Sequence, residues 1–403
     1  VAFDGRRYSR QFAEDTASVL CGLGLPVRIF DDITSTPLLA FAITALDASA
    51  GVMVTASHNP SKDNGYKVYW SNGAQIVPPH DLEIASFIDR APSLAELSRP
   101  GPHEAALRGL RRAVGYEIER AYLDGVRSGS VHPDAGRAQP LSIVYTAMHG
   151  VGHHLVVRAL REAGFEAVAS VSSQADPDGA FPTVGFPNPE EEGALDQALE
   201  LANSLGAELV LANDPDADRL AVAVAYGEPG VRRFRVLSGN EVGVLLGADL
   251  LQHADTGERK KLAITTIVSS TMLGRIAADL DASYAETLTG FKWLATTAIA
   301  RARDHDEAFV FGYEEALGYS AGPLVRDKDG VSAAVRLAEL AAWLKASGQS
   351  LLDELDRLAL CHGQSSGLQW SVRLEGRAGR ERIDALMSRL REHPLESLEG
   401  SPV

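Results

Sequence analysis

The sequence predicts a multidomain α/β protein, and three observations support that prediction. A chain of 403 residues is too long for one ordinary core, because domains usually hold about 100–200 residues. Apolar residues make up 45% of the chain and charged residues 23%, which is typical of globular proteins. Short apolar runs alternate with helical patterns, and this alternation favours largely parallel sheets covered by helices on both faces.

The first third of the chain is predicted to alternate strands with helices. Two polar stretches, Ala91–His103 and Ser128–Gln139, are rich in Pro, Ser and Gly and are therefore predicted to be surface connections. The predicted strands are Val1–Phe3, Val27–Phe30 and Gly51–Val54, and the predicted helices are Phe12–Gly22 and Thr36–Leu46.

The rest of the chain continues the same pattern. A glycine turn at His149–Gly152 is expected to lead into a helix that ends at Glu162. Further strands are predicted at Leu141–Tyr145, Gly206–Ala212, Arg219–Val224, Lys261–Ile267, Glu307–Gly312 and Leu368–Leu374, and further helices at Val331–Lys345 and Arg380–Glu392. No repeat is visible in the sequence.

Charge and composition exclude several classes of protein. The formal net charge of −16 argues against a nucleic-acid partner, because such proteins concentrate Lys and Arg. No apolar run approaches the roughly 20 residues that span a bilayer, so a membrane role is not expected. The two cysteines, Cys21 and Cys361, fit no metal-binding spacing and are expected to be buried thiols in a reducing cytosol.

A serine turn follows the third predicted strand. Residues Thr55–Pro60 read TASHNP, and the Asn-Pro pair prevents the chain from continuing as a helix. A small-residue turn at a strand end exposes Ser57, whose hydroxyl is suited to accept a phosphoryl group. The alternative is that Ser57 only closes the turn, as serine commonly does.

An acidic turn lies between two predicted strands. Residues Asn213–Arg219 read NDPDADR and place Asp214, Asp216 and Asp218 at alternate positions. Three neighbouring carboxylates repel one another, and oxygen ligands favour a hard cation such as Mg²⁺. An EF-hand is excluded because its sixth and twelfth places hold Arg219 and Ala225. A solvated acidic turn is the remaining alternative.

Two later segments are candidates for substrate contacts. Thr287–Trp293 reads TLTGFKW and places Lys292 just after a glycine, which suits a phosphate contact, although an ordinary turn with a lysine at its surface fits equally well. Phe311–Tyr319 reads FGYEEALGY, and its paired carboxylates suit sugar hydroxyls. The alternative for this segment is the start of a helix with glutamates in its first turn.

Charge balance connects these segments. Three aspartates, one Mg²⁺ and one phosphoserine sum to about −3, because a phosphate carries close to −2 at neutral pH. A phosphorylated sugar adds further negative charge. The site therefore requires cations, and the candidates are Arg6, Lys67, Arg219 and Lys292.

With these segments in this order, the chain resembles the α-D-phosphohexomutase superfamily over nearly its whole length. The segments TASHNP and NDPDADR together are highly specific for it. The stretches NGYKVYW, GAQI and DKDG, at Asn64–Trp70, Gly73–Ile76 and Asp327–Gly330, are similar to the phosphoglucomutase-2/phosphopentomutase branch.

The resemblance implies a role for each candidate residue. Ser57 becomes the phosphorylated serine, and it holds one Mg²⁺ per chain together with the three aspartates. Lys67, ten residues after Ser57, becomes a general acid/base, and His58 is grouped with it as catalytic. The residues implied to bind substrate are Arg6, Arg219, Thr289, Gly290, Lys292, Glu314 and Glu315.

The resemblance also implies four domains, with three similar α/β domains on mixed sheets and a C-terminal α+β domain. The expected ranges are 1–139, 140–257, 258–362 and 363–403. Three features differ from the family pattern. Ala316 stands where the sugar loop often carries serine, and neither the N-terminal glycine-arginine loop nor the PSGTEP-type phosphate loop is present. Both loops are expected to lie beyond this sequence.

The expected activity is that of an isomerase, an intramolecular phosphotransferase that interconverts the 1- and 6-phosphates of glucose or mannose through a bisphosphate. Ribose 1-phosphate/5-phosphate mutation, a magnesium-dependent sugar phosphatase and a non-catalytic sugar-phosphate sensor are the alternatives. A sugar bisphosphate is the expected activator. The chain is expected to be a cytoplasmic monomer or homodimer whose partners are small sugar phosphates.

Overall fold

The computed structural model describes residues 1–93, 95–227, 233–365, 367, 372, 374–395, 397–398 and 401–402. The chain divides into two compact units, residues 1–365 and 366–403. Among the described residues, no helix has both the length and the apolar character needed to cross a membrane.

The first part of the larger unit has a mixed sheet rather than a largely parallel one. Its central strand pairs parallel to the first strand and antiparallel to Tyr66–Trp70. The strand at Val27 was expected in this sheet, but it pairs with a separate short strand at Arg111. The elements are β1 (Ala2–Phe3), α1 (Ser9–Gly22), β2 (Val27–Ile29), α2 (Thr36–Ala45), β3 (Ala50–Val54), β4 (Tyr66–Trp70), α3 (His80–Ile88), α4 (Pro102–Leu107), β5 (Arg111–Ala113), α5 (Tyr116–Ser128) and α6 (Ala135–Ala138).

The middle part is built on a five-stranded sheet in the order β10-β9-β8-β6-β7. The apolar β6 and β8 are parallel and fully buried, as continuous runs of Val, Ile and Leu predict. Strand β9 is antiparallel to β8, so the acidic turn is a hairpin connection. The elements are β6 (Ile143–Thr146), α7 (Gly152–Glu162), β7 (Val168–Ser170), α8 (Asp196–Leu205), β8 (Leu209–Ala212), β9 (Ala221–Tyr226) and β10 (Arg233–Val236).

The third part has a four-stranded sheet in the order β12-β11-β13-β14. Its last two strands form an antiparallel hairpin around the two glutamates, so the alternative of a helix start there is wrong. The elements are α9 (Gly239–His253), β11 (Lys261–Thr266), α10 (Met272–Asp279), β12 (Ser283–Thr287), α11 (Phe291–His305), β13 (Ala308–Glu314), β14 (Gly318–Ala321), α12 (Gly330–Ala346) and α13 (Leu351–His362).

The smaller unit contains α14 (Gly376–Glu392), which confirms the predicted helix and begins four residues earlier, together with the paired strands β15 (Ser397–Leu398) and β16 (Ser401–Pro402). The predicted strand Leu368–Leu374 falls mostly outside the described residues. Cys21 is buried as expected, whereas Cys361 is exposed, and the expectation of a second buried thiol is wrong.

The three larger sheets repeat one local arrangement. In each sheet a buried parallel strand turns back into an antiparallel neighbour, at β3–β4, β8–β9 and β13–β14. These three hairpin turns carry TASHNP, NDPDADR and the two glutamates respectively. The fold therefore places the predicted serine, acidic and sugar segments at equivalent positions, and the mixed sheets confirm the predicted fold class.

Candidate active site

The serine turn is held in an unusual backbone conformation. Ser57 has a φ of 51°, in the left-handed region that non-glycine residues rarely adopt. Its amide donates to Thr55 Oγ1 at 2.9 Å, and the Thr55 hydroxyl donates to Asp4 Oδ2 at 2.7 Å. A buried carboxylate on the loop after β1 thus fixes the turn after β3.

Arg6 supports the same turn through its backbone. The Arg6 guanidinium donates to the carbonyl of Pro60 at 2.9 Å and to that of Asp63 at 3.2 Å, and it also donates to the carbonyls of Ser57 and Asn59. The residue is only 4% exposed. In this structure the predicted substrate ligand is therefore engaged with the backbone of the serine turn.

The acidic turn brings its three carboxylates together. Asp214, Asp216 and Asp218 are completely buried, and one ligand oxygen from each lies within 4.8 Å of the others. The turn is closed by a hydrogen bond from the Ala217 amide to the Asp214 carbonyl at 2.9 Å, with Ala217 at a φ of 58°. Alternate aspartates therefore converge because the chain reverses between them.

The serine and acidic turns meet directly. Ser57 Oγ donates to Asp214 Oδ2 at 2.9 Å, across 157 residues of sequence. Elsewhere on the acidic turn, the amide of Thr36 at the start of α2 donates to the carbonyl of Asp216 at 3.0 Å. The predicted nucleophile and the predicted metal ligands therefore form one site.

Two lysines supply positive charge to the carboxylates. Lys67 Nζ, on β4, lies 2.6 Å from Asp216 Oδ2 and 2.8 Å from Asp218 Oδ2. Lys328 Nζ lies 3.3 Å from Asp218 Oδ2 and 3.3 Å from Asp327 Oδ1. Burial acts to lower the pKa of both lysines, but the carboxylates outweigh it and raise both above the usual value.

The aspartates themselves differ in pKa. Burial, together with Asp216 and Asp218, raises the pKa of Asp214 well above its usual range. Burial acts in the same direction on Asp216, but the Lys67 ammonium outweighs it, and the pKa of Asp216 is lowered. One carboxylate of the cluster is thus stabilised as an anion by lysine, while another favours a proton in the absence of a further cation.

The unpaired carboxylate oxygens of the three aspartates suit a hard cation. Asp216 Oδ1 and Asp218 Oδ1 are buried and have no hydrogen-bond partner among the described residues. An unpaired buried carboxylate oxygen is costly unless a cation or donor reaches it. All-oxygen ligands suit Mg²⁺ better than zinc, so the residues present fit the predicted metal.

One family of known proteins matches this chain over most of its length. The phosphoglucomutase/phosphomannomutase family matches with its alpha/beta/alpha domain I over residues 1–94, domain II over 120–227 and domain III over 238–359. A Haemophilus influenzae protein named "Probable phosphomannomutase" is 40% identical over 409 aligned residues, covering 100% of this chain and 78% of its own. The chain belongs to this family.

Two further comparisons describe this phosphohexomutase chain. The phosphopentomutase of Mus musculus is 40% identical over 381 residues, which cover 90% of this chain and 60% of the mouse protein. A Thermus thermophilus structure assigned as a phosphomannomutase has a TM-score of 0.73 at 24% identity and covers 90% of this chain and 74% of its own. This likeness shows the shared fold. Family members are phosphomutases, which are isomerases, and the family uses Mg²⁺ and a phosphoserine.

The turn between β13 and β14, called the sugar turn after its predicted role, is attached to the acidic turn in this fold. The amide of Leu220 donates to the carbonyl of Leu317 at 3.0 Å, and Arg219 and Gly318 form a β-bridge. Glu314 lies at the end of β13, and its buried Oε2 has no hydrogen-bond partner among the described residues. Burial raises the pKa of Glu314, although Lys328 and Arg219 oppose that shift.

Arg219 and His58 lie beside the serine and aspartates. The Arg219 amide donates to Asp214 Oδ1 at 3.0 Å, and its Nη1 lies 3.6 Å from Glu190 Oε2, while its buried Nε has no partner among the described residues. His58 Nδ1 is 3.3 Å from Ser57 Oγ. Burial, reinforced by Arg219, lowers the pKa of His58 to about 4, so its ring is neutral.

The TLTGFKW segment adjoins the site without touching the aspartates. Within the described ranges, Thr289, Gly290 and Lys292 make no hydrogen bond or ion pair with them, and Lys292 Nζ lies over the Trp293 ring at 5.3 Å. Phe291, within the same segment, begins α11, and its ring centroid is 5.5 Å from Lys328 Nζ. The segment therefore lies next to the lysine that contacts Asp218.

Glu315 differs from Glu314 in its contacts. Its Oε2 accepts from Thr266 Oγ1 at 3.1 Å and from Ser269 Oγ at 3.2 Å, so hydroxyls at the end of β11 and just after it already occupy that oxygen. Tyr313 is completely buried, and its hydroxyl donates to Asn240 Oδ1 at 3.2 Å. Of these three neighbours, Glu314 is the one with an unpaired buried oxygen in the described chain.

Sequence reasoning assigned no role to Lys328 or its flanking aspartates. Asp327 accepts from Tyr69 Oη at 2.6 Å and Gln75 Nε2 at 2.7 Å, and Asp329 Oδ1 accepts from Tyr122 Oη at 2.7 Å. These bonds fix the segment that carries Lys328 against the first part of the chain. The DKDG stretch, Asp327–Gly330, was the sequence signal that contains Lys328. In the sequence analysis it served only as a resemblance to one branch of the family, and the lysine received no role.

Proposed function

We propose that this chain is a phosphosugar mutase in which Ser57 carries the transferred phosphoryl group. The observation that supports this proposal best is the 2.9 Å hydrogen bond from Ser57 Oγ to Asp214, within a cluster that retains unpaired carboxylate oxygens among the described residues. A hydroxyl beside a cation-binding cluster suits phosphoryl transfer, because that reaction depends mainly on positioning and charge neutralisation.

Asp214, Asp216 and Asp218 would hold one Mg²⁺, with an oxygen of phosphorylated Ser57 as a further ligand. When bound, the ion supplies positive charge to the transferred phosphoryl group. Lys328 contributes positive charge to Asp218 at 3.3 Å. While it is protonated, Lys67 contributes positive charge to Asp216 at 2.6 Å and to Asp218 at 2.8 Å. Arg219 presents its unpaired Nε as a donor for phosphate, since no described residue accepts from it.

In the proposed reaction, the phosphoryl group passes from one oxygen to another. A hydroxyl oxygen of the sugar monophosphate forms a bond to phosphorus as the bond from phosphorus to Ser57 Oγ breaks, and the hydroxyl proton passes to Ser57 Oγ. Lys67 is the proposed general acid/base, and His58 Nδ1, at 3.3 Å from Oγ, is a second group within reach of that proton. The bisphosphate then reorients and returns its other phosphoryl group to Ser57.

Glu314 would orient the sugar during both transfers. A carboxylate can accept hydrogen bonds from two neighbouring hydroxyls, and the unpaired Oε2 is available for this. We propose glucose or mannose 1- and 6-phosphates as substrates, with ribose 1- and 5-phosphates as the alternative. The relatives named phosphomannomutase and phosphopentomutase support phosphoryl transfer on a sugar phosphate. Their names differ in the sugar, which is mannose for one and a pentose for the other. We also propose a sugar bisphosphate activator and a cytoplasmic location.

The test separates a mutase from a phosphatase. The full-length protein with Mg²⁺ is incubated with glucose, mannose or ribose 1-phosphate and a matching bisphosphate primer, and the products are followed by phosphorus NMR. A mutase converts one monophosphate into the other while inorganic phosphate stays at background. Release of inorganic phosphate in step with substrate loss would instead establish a phosphatase, and no reaction on any sugar would favour a sensor.

A further inference from the structure

A second group of metal-binding side chains lies outside the proposed active site. His132 follows α5, and Asp249 and His253 lie one turn apart at the end of α9. His132 Nε2 is 2.7 Å from Asp249 Oδ1, and His253 Nδ1 is 3.0 Å from the same oxygen. One ligand atom from each residue lies within 4.8 Å of the other two. Three potential ligand atoms therefore lie close together, and His253 Nδ1 is also 3.0 Å from the backbone carbonyl oxygen of Asp249.

A tryptophan fixes the two imidazole rings. Trp343 on α12 stacks on His132 at 4.8 Å with an interplanar angle of 19°, and it meets His253 edge-on at 5.2 Å. The side chains of His132 and Asp249 are 6% and 4% exposed, whereas that of His253 is 27% exposed. Two ligands are thus held in the interior, and the third leaves a path to solvent.

The surrounding charges do not oppose a cation. Arg336, on α12 near this cluster, donates through Nη1 to Glu339 Oε2 at 2.7 Å, so its charge is paired. The Asp249 carboxylate adds a negative charge to the group, which matches the needs of a divalent ion.

From this geometry we propose that His132, Asp249 and His253 form a binding site for a divalent transition-metal ion of the zinc type, distinct from the aspartate site. Two imidazole nitrogens and one carboxylate oxygen are borderline ligands that suit zinc, whereas the aspartates present oxygens alone. Zinc bonds of about 2.0–2.1 Å in tetrahedral geometry separate ligand atoms by about 3.3 Å. The two separations between a histidine nitrogen and Asp249 Oδ1 are 2.7 and 3.0 Å, so both would lengthen slightly on binding. Solvent at His253 provides the fourth ligand.

Such an ion would join elements that are distant in sequence. His132 lies between α5 and α6, while Asp249 and His253 belong to α9, and Trp343 of α12 packs on both rings. A ligand that binds only the folded chain raises its stability by mass action. We therefore expect bound zinc to raise the melting temperature of the protein.

The experiment measures metal binding directly. Chelator-treated protein is titrated with Zn²⁺ by calorimetry and with Co²⁺ by visible absorption, in excess Mg²⁺ so that the aspartate site is filled. Every variant carries Cys361→Ser, because this exposed thiol could bind zinc by itself. The expected result is one equivalent of either ion, with the absorption of tetrahedral cobalt.

Two ligand variants and two controls locate the site. His253→Gln and His132→Gln each remove one ligand and should raise the dissociation constant for Zn²⁺ by at least about 100-fold, since loss of even an outer partner costs about 10–100-fold. His154→Gln is the matched control, because this side chain on α7 is 78% exposed and lies outside the cluster. Asp216→Asn should leave the Co²⁺ spectrum unchanged.

Circular dichroism verifies that each variant is folded, and the partly exposed His253 gives the variant that disturbs packing least. Absence of saturable binding in the parent protein would overturn the proposal and would leave a hydrogen-bonded cluster. Binding that is equal in His253→Gln, His132→Gln and the control would overturn it as well.

Discussion

The acidic turn and the sugar turn are neighbouring hairpins that differ in how complete their contacts are. In the acidic turn, aspartates meet Ser57, Lys67 and Lys328 at 2.6–3.3 Å, and the missing contacts are carboxylate oxygens that suit a metal. In the sugar turn, one Glu314 oxygen is buried without a partner in the described chain. Under the proposed function, a metal ion would complete the contacts of the acidic turn, and the hydroxyls of a bound sugar would complete those of Glu314.

Replacement of Ser57 is expected to have the largest effect on mutase turnover. Ser57→Ala removes the proposed phosphoryl acceptor, and we expect mutase turnover to fall by about 10⁴-fold or more, as for other lost nucleophiles. Intact-mass measurement of the parent protein should show a phosphorylated fraction that the variant lacks. Ser61→Ala, at an exposed serine of the same loop, is the control. Near-normal turnover in Ser57→Ala would disprove the serine mechanism.

Asp216→Asn should be the next most severe change. It removes one charge from the proposed metal site with little change of shape, and loss of a preorganised charge in such a site costs about 10²–10³-fold in turnover. Turnover is measured against Mg²⁺ concentration, and a chelator should abolish it in the parent. Asp281→Asn is the control, since that side chain is 98% exposed. A tight zinc or iron site at the three aspartates would contradict the assignment.

Glu314→Gln is expected to have a smaller effect. Replacement of a charged acceptor costs about 1.5–3 kcal/mol, or roughly ten- to a hundredfold in kcat/KM. Phosphorylation of Ser57 by a bisphosphate should remain detectable by mass. Glu315→Gln is the matched neighbour, because its side chain is already bonded to Thr266 and Ser269. The assignment fails if Glu315→Gln is the impaired variant and Glu314→Gln is normal on every sugar phosphate.

The smallest expected effect tests the support of the segment that carries Lys328. Tyr122→Phe removes the hydroxyl that donates to Asp329 Oδ1 at 2.7 Å, and the loss of this donor should lower the free energy of unfolding by about 1–3 kcal/mol. Chemical denaturation measures this loss, while kcat should stay within about twofold because Tyr122 is outside the proposed chemistry. Tyr116→Phe, at a 62% exposed tyrosine, should change stability far less. Equal stability of the two variants would show that this bond does not support the segment.

Local sequence signals located the serine and acidic turns, because a small-residue turn after a strand and alternate aspartates carry their chemistry in neighbouring residues. They could not locate Lys328, whose contact with Asp218 depends on packing between residues 110 positions apart. The helices α3 and α5 were not predicted, since the polar segments around them obscure their limits. The pairing of β2 with β5 was also missed, because the partner of a strand is set by tertiary packing.

The repeated hairpin has a consequence for how new specificities can arise. Each functional turn is closed by two paired strands, whose backbones are held about 5 Å apart whatever the turn contains. The turns are nevertheless linked to one another, because the Leu220 amide donates to the Leu317 carbonyl and Ser57 Oγ donates to Asp214. A graft of the residues between β13 and β14 would therefore have to keep the Leu317 carbonyl in place for the acidic turn to keep its conformation.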